Sequence, residues 1–121
     1  MKILIAEDEP LMLRTIELKL RKDGYEVIGS PDGRDAMKRI EADKPDMIIT
    51  DIMLPYSSGL EIVGRVKMSS GSGVPVIVLS SMGQEKTVEE AFSLGADDYI
   101  TKPFSLSELS IRVKRLTKVI A

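Results

Sequence analysis

The hydrophobic pattern of the chain alternates between two periodicities. Short, nearly continuous apolar runs predict strands buried on both faces, and apolar residues recurring every three or four positions predict amphipathic helices. The predicted strands are Lys2–Ala6, Tyr25–Gly29, Met47–Thr50, Pro75–Leu79 and Asp98–Thr101. The predicted helices run from Pro10 to Asp23-Gly24, from Asp32-Gly33 to just before Lys44-Pro45, over Gly59–Met68 and Gln84–Leu94, and from a Ser105 cap to Ile120.

Five strands alternating with five helices predict a parallel sheet covered by helices on both faces. Apolar residues of the fourth helix include Val88, Ala91 and Phe92, and Gly95 suits its C-terminal cap. The run Ser69–Gly73 is expected to be a flexible loop that is too short to link domains. We therefore expect residues 1–121 to form one domain.

Composition narrows the function classes. The 121 residues carry a net charge of −2 and contain neither cysteine nor histidine. The chain therefore cannot form a disulfide, a Ser/His triad, a His-ligated zinc site or its own phosphohistidine. The low charge gives no strong attraction to nucleic acid, so we expect no direct nucleic-acid binding by this chain. With no apolar run near the roughly 20 residues of a membrane span and no signal segment, we expect a cytoplasmic protein without a membrane contact.

Polar residues follow four of the five predicted strands. They are Glu7-Asp8, Asp51, Ser80-Ser81 and Thr101-Lys102. Because the carboxyl ends of parallel strands share one edge, where ligands bind, these side chains are expected to form one pocket. Each also has a simpler explanation when taken alone. Asp51 or Ser80 would suit a helix cap, Glu7-Asp8 would favour a helix N-terminus, and Lys102 could lie on the surface.

The charges of this pocket indicate its chemistry. Glu7, Asp8 and Asp51 would repel one another when ionised, and Lys102 offsets one of the three charges. A divalent cation would offset the rest, and an all-oxygen ligand set favours Mg²⁺ over zinc. Such a site suits phosphoryl transfer, with Asp51 attacking phosphorus and Ser80 binding an oxygen of the product.

At this point the chain resembles the receiver domains of two-component response regulators over essentially its whole length. The resemblance rests on ILIAEDEP, IITDIMLP followed by Gly59, VIVLSS and GADDYITKPF. It implies a flavodoxin-like, doubly wound (βα)5 sandwich with strand order 2-1-3-4-5. It also implies a regulatory domain that catalyses only its own phosphorylation and dephosphorylation. The stretch Tyr56-Ser57-Ser58-Gly59 and residue Ser81 depart from the usual pattern of the family.

The resemblance assigns the metal ligands and the phosphoacceptor. Asp51 matches the phosphoacceptor and also a ligand of Mg²⁺. Asp8 matches the direct metal ligand, Glu7 its helper, and Met53 supplies a backbone carbonyl.

The resemblance also assigns the residues that respond to phosphate. Lys102 would contact the phosphoryl group, and Ser80 would be the hydroxyl that moves toward it. Tyr99 matches an aromatic residue that turns inward when that hydroxyl moves. Pro103 matches a proline that often follows a cis bond.

The implied function is a phosphorylation-activated switch. A partner histidine kinase or histidine phosphotransfer protein would supply the phosphoryl group, since the chain lacks both histidine and a Gly-x-x-x-x-Gly-Lys loop for ATP. Phosphorylation would shift the face formed by the fourth helix, fifth strand and fifth helix. The sequence leaves two points open: whether the switch controls transcription, and whether phosphorylation produces a homodimer. Basic residues of the last helix are candidates for a partner face: Arg112, Lys114, Arg115 and Lys118.

Two other classes compete with this interpretation. A haloacid-dehalogenase-like phosphatase also uses an aspartyl nucleophile after a strand, but it needs a second aspartate where Met53 stands. A flavodoxin-like nucleotide-binding module needs a phosphate-cradling loop after the first strand, where Glu7-Asp8-Glu9 would repel a phosphate.

Overall fold

A computed structural model describes residues 1–69 and 73–120 of the chain. The elements in order are β1 (Lys2–Ala6), α1 (Pro10–Lys22), β2 (Glu26–Ser30), α2 (Gly33–Asp43), β3 (Met47–Asp51), α3 (Gly59–Met68), β4 (Val76–Ser80), α4 (Glu85–Ser93), β5 (Asp98–Thr101) and α5 (Leu106–Ile120). The flexible loop expected at Ser69–Gly73 falls mostly on residues 70–72, outside the described residues.

The five strands form one parallel sheet in the order β2-β1-β3-β4-β5. This order confirms the predicted flavodoxin-like α/β fold. The chain reverses its direction of travel across the sheet between β1 and β3, which lie side by side. In such sheets the crevice outside the carboxyl ends of these two strands is the usual ligand site.

The core consists of one apolar layer on each face of the sheet. Ile3 and Ile5 of β1 face α1 and α5, while Leu4 and Ala6 face α2 and α3. All four side chains are fully buried, and their alternation follows from the two-residue period of a strand. Both faces of the central strands are therefore occupied, which leaves the carboxyl edge as the place for polar groups.

Three strands end one residue later than the sequence pattern predicts: β2, which ends at Ser30, and β3 and β4. The prediction that Asp51 lies just past β3 is wrong, because Asp51 is the last residue of β3 and pairs with Leu79 of β4. Ser80 likewise ends β4 and pairs with Thr101. The backbone ladder continues into these polar positions because pairing depends on the main chain, whereas the pattern records only side chains.

Helix ends follow the predicted capping residues. The Asp32 carboxylate accepts a hydrogen bond from the backbone N–H of Asp35 at 2.7 Å, and the Ser105 hydroxyl accepts one from Glu108 at 3.0 Å. Gly95 has φ +110°, as expected after a helix.

Phe92 is 46% exposed, because its neighbour Ala91 is the residue of α4 that faces the sheet. The side chain of Ile120 lies outside those described.

Candidate functional site

Lys102 joins two carboxylates at the carboxyl edge of the sheet. Its Nζ lies 2.6 Å from Oε1 of Glu7 and 2.7 Å from Oδ2 of Asp51. The Glu7 side chain is fully buried, and the side chains of Asp51 and Lys102 are 11% and 17% exposed. Such short, charge-assisted contacts at a buried edge are strong and bring three strands to one point.

The protonation of this triad depends on burial. Burial raises the pKa of the Glu7 carboxyl, with the neighbouring Asp51 adding to the rise and Lys102 opposing it. Burial alone would lower the pKa of the Lys102 ammonium, but its hydrogen bonds to Asp51 and Glu7 outweigh burial and raise it. Lys102 is therefore held as a cation, and the edge strongly favours a second positive charge.

Three carboxylates at this edge fit a hard divalent cation. Glu7, Asp8 and Asp51 each offer one oxygen, and these oxygens lie within 4.8 Å of one another. Asp8 is exposed, whereas the other two are buried, so the cluster opens to solvent on the Asp8 side. An all-oxygen set of this kind suits Mg²⁺, and Asp8 and Met53 line one shallow pocket beside it.

Ser80 and Tyr99 meet at the backbone of one residue, Met82. The Ser80 hydroxyl oxygen accepts a hydrogen bond from the N–H of Met82 at 2.9 Å, and the Tyr99 hydroxyl donates to its carbonyl. Ser80 is buried and Tyr99 is half-buried against the core on the α2–α3–α4 side. Sequence reasoning missed Met82, because any residue type supplies the same backbone groups.

The loop from Ile52 to Ser58 is held against the site by close backbone contacts. Its start is fixed by the N–H of Gly59, which donates to the Ile52 carbonyl at 2.9 Å, and a Cβ on Gly59 would lie 2.1 Å from the Asp51 carbonyl oxygen. The Met53 N–H donates to Oδ1 of Asp51 at 3.3 Å. Glycine at position 59 is therefore required by a backbone approach.

Two further predictions concern the bond before Pro103 and the basic residues of α5. The bond between Lys102 and Pro103 is cis, as the resemblance implied. Arg112 and Arg115 of α5 both contact the carboxylate of Asp98, at 2.7 Å and 3.1 Å. Two of the four basic residues predicted for a partner face are thus bound within the chain, while Lys114 and Lys118 are exposed.

The fold and this acidic edge together define a class of protein. The family model described as the response regulator receiver domain matches residues 3–114, and the chain belongs to this family. A receiver domain is a regulatory domain rather than a classical enzyme.

The curated relatives that the chain matches are named as regulators. It is 37% identical over 117 residues to the alkaline phosphatase synthesis transcriptional regulatory protein PhoP of Bacillus subtilis, covering 97% of this chain and 48% of the relative. It is also 37% identical to response regulator RR06 of Streptococcus pneumoniae, covering 98% of this chain and 54% of the relative. The chain spans about half the length of the curated relatives it matches.

Solved structures agree with this placement. The Francisella response regulator 1452 receiver domain is 33% identical with a TM-score of 0.92, covering 99% of this chain and 98% of that chain. The response regulator TrrA of Thermotoga maritima, in complex with Mg²⁺ and BeF, is 30% identical with a TM-score of 0.84. The match covers 95% of this chain and 97% of that chain. In the described part of the chain, no helix is both long and apolar enough to cross a membrane.

Proposed function

We propose that this chain accepts a phosphoryl group on Asp51 and acts as a phosphorylation-controlled switch. The observation that carries the proposal is the contact of Lys102 with both Asp51 and Glu7, beside the exposed Asp8. It places a nucleophilic carboxylate, a fixed cation and metal-binding oxygens at one edge. We further propose that residues 1–121 form a single receiver domain.

In the proposed reaction a carboxylate oxygen of Asp51 attacks the phosphorus of a phosphohistidine on a partner protein. The new bond joins phosphorus to this oxygen, and the bond to the imidazole nitrogen breaks. The imidazole leaves as the neutral base when its other ring nitrogen carries a proton, and otherwise the departing nitrogen takes a proton from water. Lys102 orients Asp51 in the resting site and would hold an oxygen of the transferred group. The donor that we propose is a histidine kinase or a histidine phosphotransfer protein, because these 121 residues contain no histidine.

Glu7, Asp8, Asp51 and the backbone carbonyl of Met53 are the residues that would hold Mg²⁺. The carboxylate oxygens fit a hard cation because of their number, their charge and their mutual approach within 4.8 Å. When bound, Mg²⁺ offsets negative charge on the phosphoryl oxygens. Lys102 alone cannot neutralise three carboxylates, so the ion and the lysine act on the same charge imbalance.

The proposed output passes through Ser80 and Tyr99. A phosphoryl oxygen on Asp51 would accept a hydrogen bond from the Ser80 O–H and draw this hydroxyl away from the N–H of Met82, and Tyr99 also contacts Met82. The α4–β5–α5 face would then change its conformational equilibrium and bind an effector domain, an output protein or a second copy of the chain. Because curated relatives are named as transcriptional regulators, we propose transcription as the process controlled.

The two competing classes of protein fit this site less well than a receiver domain does. Met53 is exposed and stands where a haloacid-dehalogenase-like phosphatase needs its second aspartate. A nucleotide phosphate after β1 would meet the Glu7–Asp8 acidic pair.

The direct test is phosphoryl uptake from a small phosphoramidate in the presence of Mg²⁺, followed by intact-mass spectrometry. The protein is expected to gain one phosphoryl group, and Asp51→Asn to gain none. Asp43→Asn, which removes a half-exposed carboxylate at the end of α2, is the matched control and should be labelled normally. Undiminished labelling of Asp51→Asn would refute the assignment.

A further inference from the structure

The loop after Asp51 contains a residue in a conformation that its side chain disfavours. Tyr56 has φ +72°, in the left-handed region that favours glycine. The ring is 68% exposed, so burial does not compensate for this backbone conformation. Other contacts must therefore hold Tyr56 in place.

Those contacts come from the first residues of α2. The N–H of Gly33 donates to the Pro55 carbonyl at 3.0 Å, and a Cβ on Gly33 would lie 2.0 Å from the Ser57 carbonyl oxygen. The guanidinium of Arg34, the next residue, lies 3.8 Å from the centroid of the Tyr56 ring. A guanidinium over an aromatic face is an attractive cation–π contact.

We propose that Arg34 is a positioning residue for the metal-binding loop and acts through its stack on Tyr56. The inference rests on the proposed function, since the loop follows Asp51 directly and includes the proposed metal ligand Met53. Without the stack, Tyr56 would more often leave the left-handed region, and the loop would spend less time in the conformation that presents the Met53 carbonyl. Apparent affinity falls in proportion to the fraction of the binding-competent conformation.

Simple electrostatics predicts the opposite sign. Arg34 is a cation stacked on the loop that contains Met53, so removing its charge would tighten Mg²⁺ binding if charge were its only influence. Loss of a positioning stack would weaken Mg²⁺ binding. The direction of the change therefore separates the two roles.

The experiment measures the dissociation constant of Mg²⁺ by calorimetry or by NMR titration of the Asp51 and Met53 amides. Arg34→Ala is expected to weaken binding by about two- to five-fold, the range that an exposed cation–π contact spans. In the Tyr56→Gly background, where φ +72° carries no side-chain penalty, Arg34→Ala should not weaken binding. Arg39→Ala is the matched control, because Arg39 lies on the same helix and pairs with Asp35 and Asp43 instead of the loop.

Unchanged or tighter binding by Arg34→Ala would overturn the inference, as would an equal loss in the Tyr56→Gly background. Both outcomes leave the proposed function standing if the unaltered chain binds Mg²⁺. Failure of the unaltered chain to bind Mg²⁺ would instead remove the proposed function, and the inference with it. A readout without metal is the Arg34 side-chain NMR resonance, which should lose its ring-current shift in Tyr56→Gly and keep it in Arg39→Ala.

Discussion

Lys102 Nζ lies 2.7 Å from Oδ2 of Asp51, although Asp51 ends β3 and Lys102 follows β5, and these two strands are not neighbours. Strand β4 separates them, and the turn after β5 folds over its end. The backbone N–H of Lys102 donates to the Ser80 carbonyl at 2.8 Å, which fixes the start of the lysine side chain. The long side chain then reaches across to β3 and β1.

Lys102→Met tests what this cation does. Removing one positive charge from three carboxylates should tighten Mg²⁺ binding by about ten-fold and reduce phosphoryl uptake by about a hundred-fold. Calorimetry and the phosphoramidate assay measure the two effects. Lys86→Met, on the exposed surface of α4, should change neither. Weaker Mg²⁺ binding by Lys102→Met would contradict this account of the charges.

Two glycines of α3 allow a matched comparison of the same substitution. Gly59→Ala would place Cβ 2.1 Å from the Asp51 carbonyl oxygen, so the loop must shift and the free energy of unfolding should fall by roughly 2 kcal/mol or more. Gly64→Ala meets its nearest atom, on Leu94, only at 4.0 Å. It should raise stability by roughly 0.5–1 kcal/mol, because alanine favours helix. Urea unfolding measures both, and equal effects would argue against the close approach at Gly59.

Ser30 carries a buried hydroxyl that lacks a hydrogen-bond partner within the described chain. The residue is fully buried at the end of β2. Ser30→Ala should therefore raise the free energy of unfolding by roughly 1 kcal/mol, because it removes an unpaired polar group at little loss of volume. Ser93→Ala, at an exposed position of α4, is the control. Destabilisation by Ser30→Ala would show that the hydroxyl is bonded in solution.

The contact between Asp23 and Ser110 predicts a pH-dependent link between α1 and α5. The Ser110 hydroxyl donates to the Asp23 carboxylate at 2.6 Å and, with help from Lys19, lowers the pKa of Asp23. A lowered carboxyl pKa means that the fold favours the charged form. The contact therefore adds to the free energy of unfolding when the pH is above the ordinary pKa of an aspartate. This stabilisation is lost as the pH falls through the lower pKa of Asp23 in the folded state.

The variant Ser110→Ala should accordingly unfold more easily than the unaltered chain near about pH 7, by less than ~1 kcal/mol because the carboxylate is partly exposed. The difference should shrink as the pH falls below the ordinary pKa of an aspartate and through the lower pKa of folded Asp23, because the carboxylate then becomes protonated in both proteins. Thermal unfolding across pH measures it, with Ser107→Ala on the exposed side of α5 as the control. A difference that grows on acidification would contradict the assigned sign.

The fold, and the side chains that meet at the sheet edge, could be predicted from the sequence alone. Periodicity located the ten elements of the described residues, and the polar residues at the carboxyl ends of β1, β3 and β5 converge because parallel strands end together. It could not locate Met82, whose backbone contacts Ser80 and Tyr99, since backbone groups leave no mark on residue type. The stack of Arg34 on Tyr56 was also missed, because it depends on the path of a loop that no periodic pattern describes.

The central claim is that acids from β1 and β3 and a lysine after β5 build a magnesium-dependent phosphoryl site. Its most direct test is uptake of beryllofluoride, which stands in for the phosphoryl group, followed by ¹⁹F NMR. The account predicts a bound signal for the unaltered chain only when Mg²⁺ is present, and none for Asp51→Asn. A bound signal that survives Asp51→Asn, or no bound signal from the unaltered chain with Mg²⁺, would contradict it.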